Sequence, residues 1–362
     1  MMTKRKKQRD LQQTLFIILI TMVLFLGTLN IVKGLGFFIP SQPSLLVVNN
    51  TINLEEMTLE QKIAQMVIVH GGLYNLQTWK KLQLGGVHLF AMQREELFRK
   101  TINEFQKEMM IPFFVSADFE GCLNPFSAFR PSIPVREITS VGDAFEKGKS
   151  EGSYLHTLGF SVNFAPVVDL NDQIWKCRSF PGNATTIGKL AEAYTLGLQR
   201  EGIIATAKHY PGKTLVIRDP HKEVVAAVIE KSDLLPYEKL NKVVKGVMVS
   251  HLIVEGAIDS EGKPSVAARE IVGELKEKYP GLIFTDEIQM LGLRNFYPSL
   301  DEVYINVFKA GNDMILNFGE DPEEMHRMIQ VVAEAVRRGE ISKKQIDASV
   351  RKILMAKGFR VK

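Results

Sequence analysis

From about residue 58 onward, short apolar runs alternate with stretches whose apolar residues recur at helical spacing. The runs 63–70, 86–90, 112–118, 161–169, 203–210, 246–252, 282–287 and 313–317 predict strands. Between them the patterns over 95–110, 141–158, 187–201, 267–279, 301–310 and 322–338 predict helices, with a closing helix over 343–357. Strands this apolar, without strict alternation, suit a parallel sheet covered on both faces. Eight such strands, each followed by a helix or a long loop, argue for an α/β fold, a single (β/α)8 TIM-type barrel, ahead of an open doubly wound sheet.

The amino terminus follows another pattern. Residues 1–10 carry Lys4, Arg5, Lys6, Lys7 and Arg9 against Asp10, and Leu11 to Val32 contains no charge. Roughly 20 apolar residues cross a bilayer as a helix, and no A-x-A-like cleavage site follows. Because basic flanks stay cytoplasmic, the expectation is an uncleaved single-pass signal anchor over 11–32, with the body on the extracytoplasmic side of the cell membrane. The chain then divides into a basic cytoplasmic tail (1–10), a transmembrane helix (11–32), a linker (33–52) rich in Gly, Pro and Asn, and a barrel (53–362).

Charge changes the picture only at that end. The chain has 45 basic and 41 acidic residues, a net +4, and residues 1–10 contribute 5 − 1 = +4 of it. The remaining 40 and 40 balance, which gives no support to nucleic-acid binding. Cys122 and Cys177 are the only cysteines, and their spacing shows no pairing, so unpaired thiols are the expectation.

The strand ends carry the candidate chemistry. Asp118 ends the third predicted strand, Asp169 the fourth, Lys208 and His209 lie near the end of the fifth, Ser250 and His251 in the sixth, and Asp286 in the seventh. Side chains at the carboxyl ends of barrel strands converge on one mouth, so this succession predicts a shared polar pocket. Just past the fifth strand, Pro211 and Gly212 stop the run and a polar loop delivers Asp219 and His221 two residues apart. An imidazole titrates near neutral pH, and a neighbouring carboxylate orients it and holds its charge. Asp286 follows a buried run, where a carboxylate can attack an electrophilic carbon. With a proton donor across the pocket it suits glycosidic cleavage. His209, Asp219, His221, His251 and Asp286 also permit a hydrolytic metal site; no HxH ends the first strand, and Lys208 within the cluster would repel a cation. No metal or cofactor is therefore expected.

Several segments in this order resemble glycoside hydrolase family 3, and specifically its one-domain NagZ-type β-N-acetylglucosaminidases. They are Met57–Ile63, Gly85–Phe90, Asp118–Gly121, Val162–Asp169, Arg178–Phe180, Lys208–Gly212, Asp219-x-His221, Met248–His251 and Phe284–Glu287. The resemblance implies a retaining exo-glycosidase acting on terminal β-linked N-acetylglucosamine, a carbohydrate substrate from cell-wall glycan or glycoconjugate. It implies Asp286 as the nucleophile forming a covalent glycosyl-enzyme, and His221, paired with Asp219, as the mobile-loop acid/base. Asp118, Arg178, Lys208 and His209 match positions that grip sugar hydroxyls, with Ser250, His251 and Asp169 in the pocket wall or behind it. Three departures stand out: Lys213-Thr214 where the family continues with His-Gly, Pro220 between Asp219 and His221, and Cys122 where a second Gly is usual. Proline stiffens a loop thought to swing, and a non-glycine residue narrows backbone freedom. A β-glucosidase, a β-glycoside phosphorylase, or an anchored sugar-binding protein without turnover are the competing readings.

Overall fold

The computed structural model describes residues 14–29, 36, 39–45, 47–215 and 222–362. Eight parallel strands form one sheet: β1 (Val67–His70), β2 (Gly86–His88), β3 (Phe114–Ala117), β4 (Val162–Asn163), β5 (Ile204–Tyr210), β6 (Gly246–Val249), β7 (Leu282–Thr285) and β8 (Ile315–Leu316). Neighbours in sequence are neighbours in space, and β8 pairs back onto β1. A parallel bridge between Phe284 and Met314 joins β7 to the entry of β8, so the sheet closes into a barrel.

Helices cover the outside: α1 (Leu59–Gln65), α2 (Leu76–Leu82), α3 (Glu95–Gln106), α4 (Val141–Leu158), α5 (Ala184–Arg200), α6 (Lys231–Leu240), α7 (Arg269–Lys278), α8 (Leu300–Ala310), α9 (Pro322–Arg337) and α10 (Lys343–Ala356). Every helix the pattern predicts is present within a few residues. The first strand differs. Residues 63–65, expected to open it, are the last turn of α1. Thr58 starts that helix with a reciprocal cap: its hydroxyl accepts from the Gln61 amide at 3.1 Å, and the Gln61 side chain accepts from the Thr58 amide at 2.8 Å. Satisfying two orphan donors at once outweighs the β-like look of a short apolar run.

Part of the stretch expected to be linker lies on the body. Ile39 and Leu45 are buried, and Thr51–Ile52 pairs with both Val47–Val48 and Arg360–Val361 in a small sheet. The stretch expected to span a membrane is described only from 14 to 29, as a helix whose side chains are all exposed. Among the described residues no helix is long and apolar enough to cross a membrane. Residues 11–13 and 30–32 of the expected span lie outside the described residues.

Candidate active site

The chemistry-bearing side chains gather where the strand order predicts, at the carboxyl end of the barrel. A cavity of about 340 Å³ there is lined by Asp118, Glu120, Arg178, Lys208, His209 and Asp286, with apolar residues between them. Strand geometry explains part of this placement, because residues just past β3 and β7 leave the ladder at the same end. Lys208 and His209 need more, since consecutive strand residues face opposite sides. The register of β5 against β6 shifts between Ala207 and Tyr210, and both side chains reach the mouth.

Charge is arranged in interlocking pairs. Lys208 Nζ donates to Asp118 Oδ1 at 2.5 Å and lies 3.3 Å from Glu120 Oε2. Arg178 donates through Nε (2.8 Å) and Nη2 (2.6 Å) to Glu120 Oε1. Its Nη2 also lies 3.4 Å from His209 Nε2, while His209 Nδ1 lies 2.7 Å from Asp169 Oδ2. A guanidinium has only donors, so His209 Nε2 accepts and Nδ1 donates to the carboxylate. The imidazole is thereby held in one orientation between Arg178 and Asp169.

Burial and neighbours pull these acids apart. Burial works to raise Asp118, but the Lys208 ammonium and His88 hold its carboxyl well below the usual range. Burial pushes Glu120 up against the opposing pull of Arg178 and Lys208. Burial raises Asp169 to about 7, with Arg178 and backbone amides opposing. His88 is pushed down to about 4 by burial, partly offset by Asp118. Its ring is neutral at pH 7, stacked between Phe164 and Phe318, with Nε2 3.4 Å from Asp118 Oδ2. Asp286 is 8% exposed, and its Oδ1 accepts the Glu287 amide at 2.8 Å.

Ser250 and His251, expected in the pocket wall or behind it, do not line the cavity. Strand β6 ends at Val249, so the next two residues turn under the β7 loop. There His251 Nε2 lies 2.7 Å from the Glu287 carbonyl, and Ser250 is fully buried. His251 thereby braces the backbone next to Asp286. Asp169 likewise sits behind the cavity, holding His209. Asp219, Pro220 and His221 lie outside the described residues. Among the described residues no cluster of His, Cys, Asp or Glu could hold a metal ion.

The structure corrects the expectation of unpaired thiols. Cys122 and Cys177 form a disulfide with Cα atoms 5.4 Å apart. It joins the loop after β3 to the loop that delivers Arg178. Gly121, at φ +52°, permits the same approach: a Cβ there would stand 2.3 Å from the Arg178 Cα. Glu120 and His88 carry roles that the sequence reading did not assign. For Glu120 the available signal was its position two residues past Asp118, where alternation returns a side chain to the same face.

The family 3 glycosyl hydrolase N-terminal domain matches residues 58–356. A β-N-acetylglucosaminidase/β-glucosidase of Cellulomonas fimi is 28% identical over 312 residues, which is 76% of this chain and 52% of that protein. The β-hexosaminidase LpqI of Mycobacterium bovis is 28% identical over 272 residues, 68% of this chain and 69% of that one. The chain thus spans about half the length of the first relative and two thirds of the second. The solved family 3 β-N-acetylglucosaminidase of Paenibacillus superposes with a TM-score of 0.76 at 24% identity, covering 83% of this chain and 62% of that one. The match over the whole barrel, with the charged cavity at its carboxyl end, establishes that the chain belongs to glycosyl hydrolase family 3.

Proposed function

We propose that the chain is a retaining exo-glycosidase that releases terminal β-linked N-acetylglucosamine from a cell-wall glycan or glycoconjugate. One observation carries the reading: the Asp286 carboxyl stands in the same cavity as the Asp118–Lys208–Glu120–Arg178 network. Paired charges at the base of a cavity are donors and acceptors for the hydroxyls of a single terminal sugar. The relatives named as β-N-acetylglucosaminidase and β-hexosaminidase support N-acetylglucosamine as that sugar.

In this reading an Asp286 oxygen bonds to the anomeric carbon as the glycosidic oxygen leaves. His221, oriented by Asp219, gives the leaving oxygen its proton and then takes one from the water that releases the sugar. Asp118 and Lys208 hold hydroxyls while the ring flattens toward an oxocarbenium ion. Arg178 and His209 close the other side of the cavity. No metal or cofactor enters the scheme.

The body is proposed to stand on the extracytoplasmic side of the cell membrane, held by residues 11–32. The Cys122–Cys177 disulfide supports an oxidising compartment.

A panel of p-nitrophenyl glycosides tests the chemistry. Turnover of the β-N-acetylglucosaminide without added phosphate, and little of the β-glucoside, is the expected result. Asp286→Asn is expected to lower that turnover roughly a thousandfold or more, with the melting temperature near the parent's. The amide oxygen can still accept the Glu287 amide, so the fold has no reason to fail. A rate set by phosphate would make the enzyme a phosphorylase, and binding without turnover would leave a sugar-binding protein. Parent-like activity in the Asn variant would remove Asp286 from its role.

A further inference from the structure

Two aromatic rings in the cavity wall are reached by water: Phe90 is 46% exposed and Trp175 44%. They are held differently. Phe90, past the end of β2, packs against His70, His88 and Phe318 with ring centres 5.0, 4.7 and 5.4 Å away. Trp175 lies in the loop between β4 and α5 and, among the described residues, packs on no other ring. Its contact with the charged base is the Arg178 guanidinium carbon, 5.9 Å from the ring centre.

The backbone beneath this indole is tied on every side. Asp172 Oδ1 accepts the Trp175 amide at 2.9 Å, and Asp172 Oδ2 accepts the amides of Cys177 and Arg178 at 3.0 and 2.8 Å. The amides of Gln173 and Ile174 both donate to the Leu215 carbonyl. The disulfide at Cys177 then fastens the loop to the segment that carries Glu120. Single exposed apolar rings are ordinary on a protein surface; this one is distinguished by lining the cavity on a fixed backbone.

The chemistry of the substrate names a partner for this ring. A pyranose with equatorial substituents presents flat faces of C–H groups, which an aromatic face covers well. The terminal sugar takes the charged base of the cavity, so the next residue of the glycan must cross the rim. We propose that Trp175 is the stacking platform for the second saccharide, on the leaving-group side. The chain then selects N-acetylglucosamine linked to another pyranose over the same sugar on a small aglycone. This rests on the glycosidase reading above.

The test compares a β-1,4-linked N-acetylglucosamine disaccharide with methyl β-N-acetylglucosaminide, in the full chain and in Trp175→Phe and Trp175→Ala. The Ala variant is expected to lose about tenfold in kcat/KM on the disaccharide and less than about threefold on the methyl glycoside, with Phe recovering most of the loss. Trp175→Leu, bulky but not flat, stands in if the Ala variant does not fold. Equal losses on both substrates, or none on the disaccharide, overturn the proposal. A second readout uses the other tryptophan being buried: Trp79 is 1% exposed, so exposed-indole emission reports Trp175. Adding the disaccharide to Asp286→Asn should shift emission to the blue and protect it from acrylamide, whereas free N-acetylglucosamine should not. No shift with the disaccharide also overturns it. A parent that cleaves neither substrate would instead sink the glycosidase reading itself.

Discussion

Asp169 shows how one buried group conditions both the site and the stability of the chain. Fully buried and 2.7 Å from His209 Nδ1, its carboxyl is raised to about 7. An ordinary aspartate titrates near 4, so the folded protein holds this proton more tightly than the unfolded chain. The resulting contribution is complete below about pH 4 and is lost as pH rises through about 7, at most about 4 kcal/mol. The parent's melting temperature should therefore fall, relative to Asp169→Asn, between pH 5 and 8. The Asn variant keeps an acceptor for His209 and has no proton to lose. Parallel curves for the two proteins would show that Asp169 does not carry this dependence. At the same scale, Asp118, Lys208, His209 and Asp286 were legible from their places at strand ends. The roles of His88 and Glu120 are not legible in this way, because strand position gives the face a side chain takes and not the partners it meets there.

At the scale of elements, the loops that follow β3 and β4 work as one unit. The disulfide closes a loop with a sequence separation of 55 and sets Arg178 against Glu120. A cross-link of that span typically contributes about 2–4 kcal/mol, mainly by restricting the unfolded chain. Replacing both cysteines by serine should lower the melting temperature accordingly. It should also reduce kcat/KM, because Arg178 then keeps its ion pair without its backbone staple. Treating the parent with a reductant should reproduce both changes and leave the double variant unaffected. A reductant effect of equal size in both proteins would place the sensitivity elsewhere. The helices α4, α8, α9 and α10 match their predicted spans closely, since a period of 3.6 over three or more turns is a strong signal. The seven-residue α1 was lost inside an apolar run, although Thr58 and Gln61 spelled its cap in the sequence.

For the whole molecule, the body is electrically balanced and the basic excess sits at the amino terminus. A positive tail before an uncharged apolar run should fix the chain in a membrane with the barrel outside. The full chain should therefore stay with membranes through alkaline carbonate washing, and protease added outside intact cells should reach the barrel. Release of the barrel by carbonate, or protection from external protease, would overturn the anchor or its orientation.

The amino-acid sequence by itself determined a parallel sheet of apolar strands covered by helices, and its eight strands favoured closure into a barrel over an open doubly wound sheet. It also determined which end of the barrel is polar, since a charged residue can follow a buried strand only where the strand emerges. Tertiary structure alone decided which of those groups meet. The Cys122–Cys177 bond, the Glu120–Arg178 pair and the withdrawal of Ser250 and His251 behind the wall depend on distances between loops far apart in the chain. Local pattern holds no record of such distances, because they are fixed only when the strands between those loops take their places in the closed sheet.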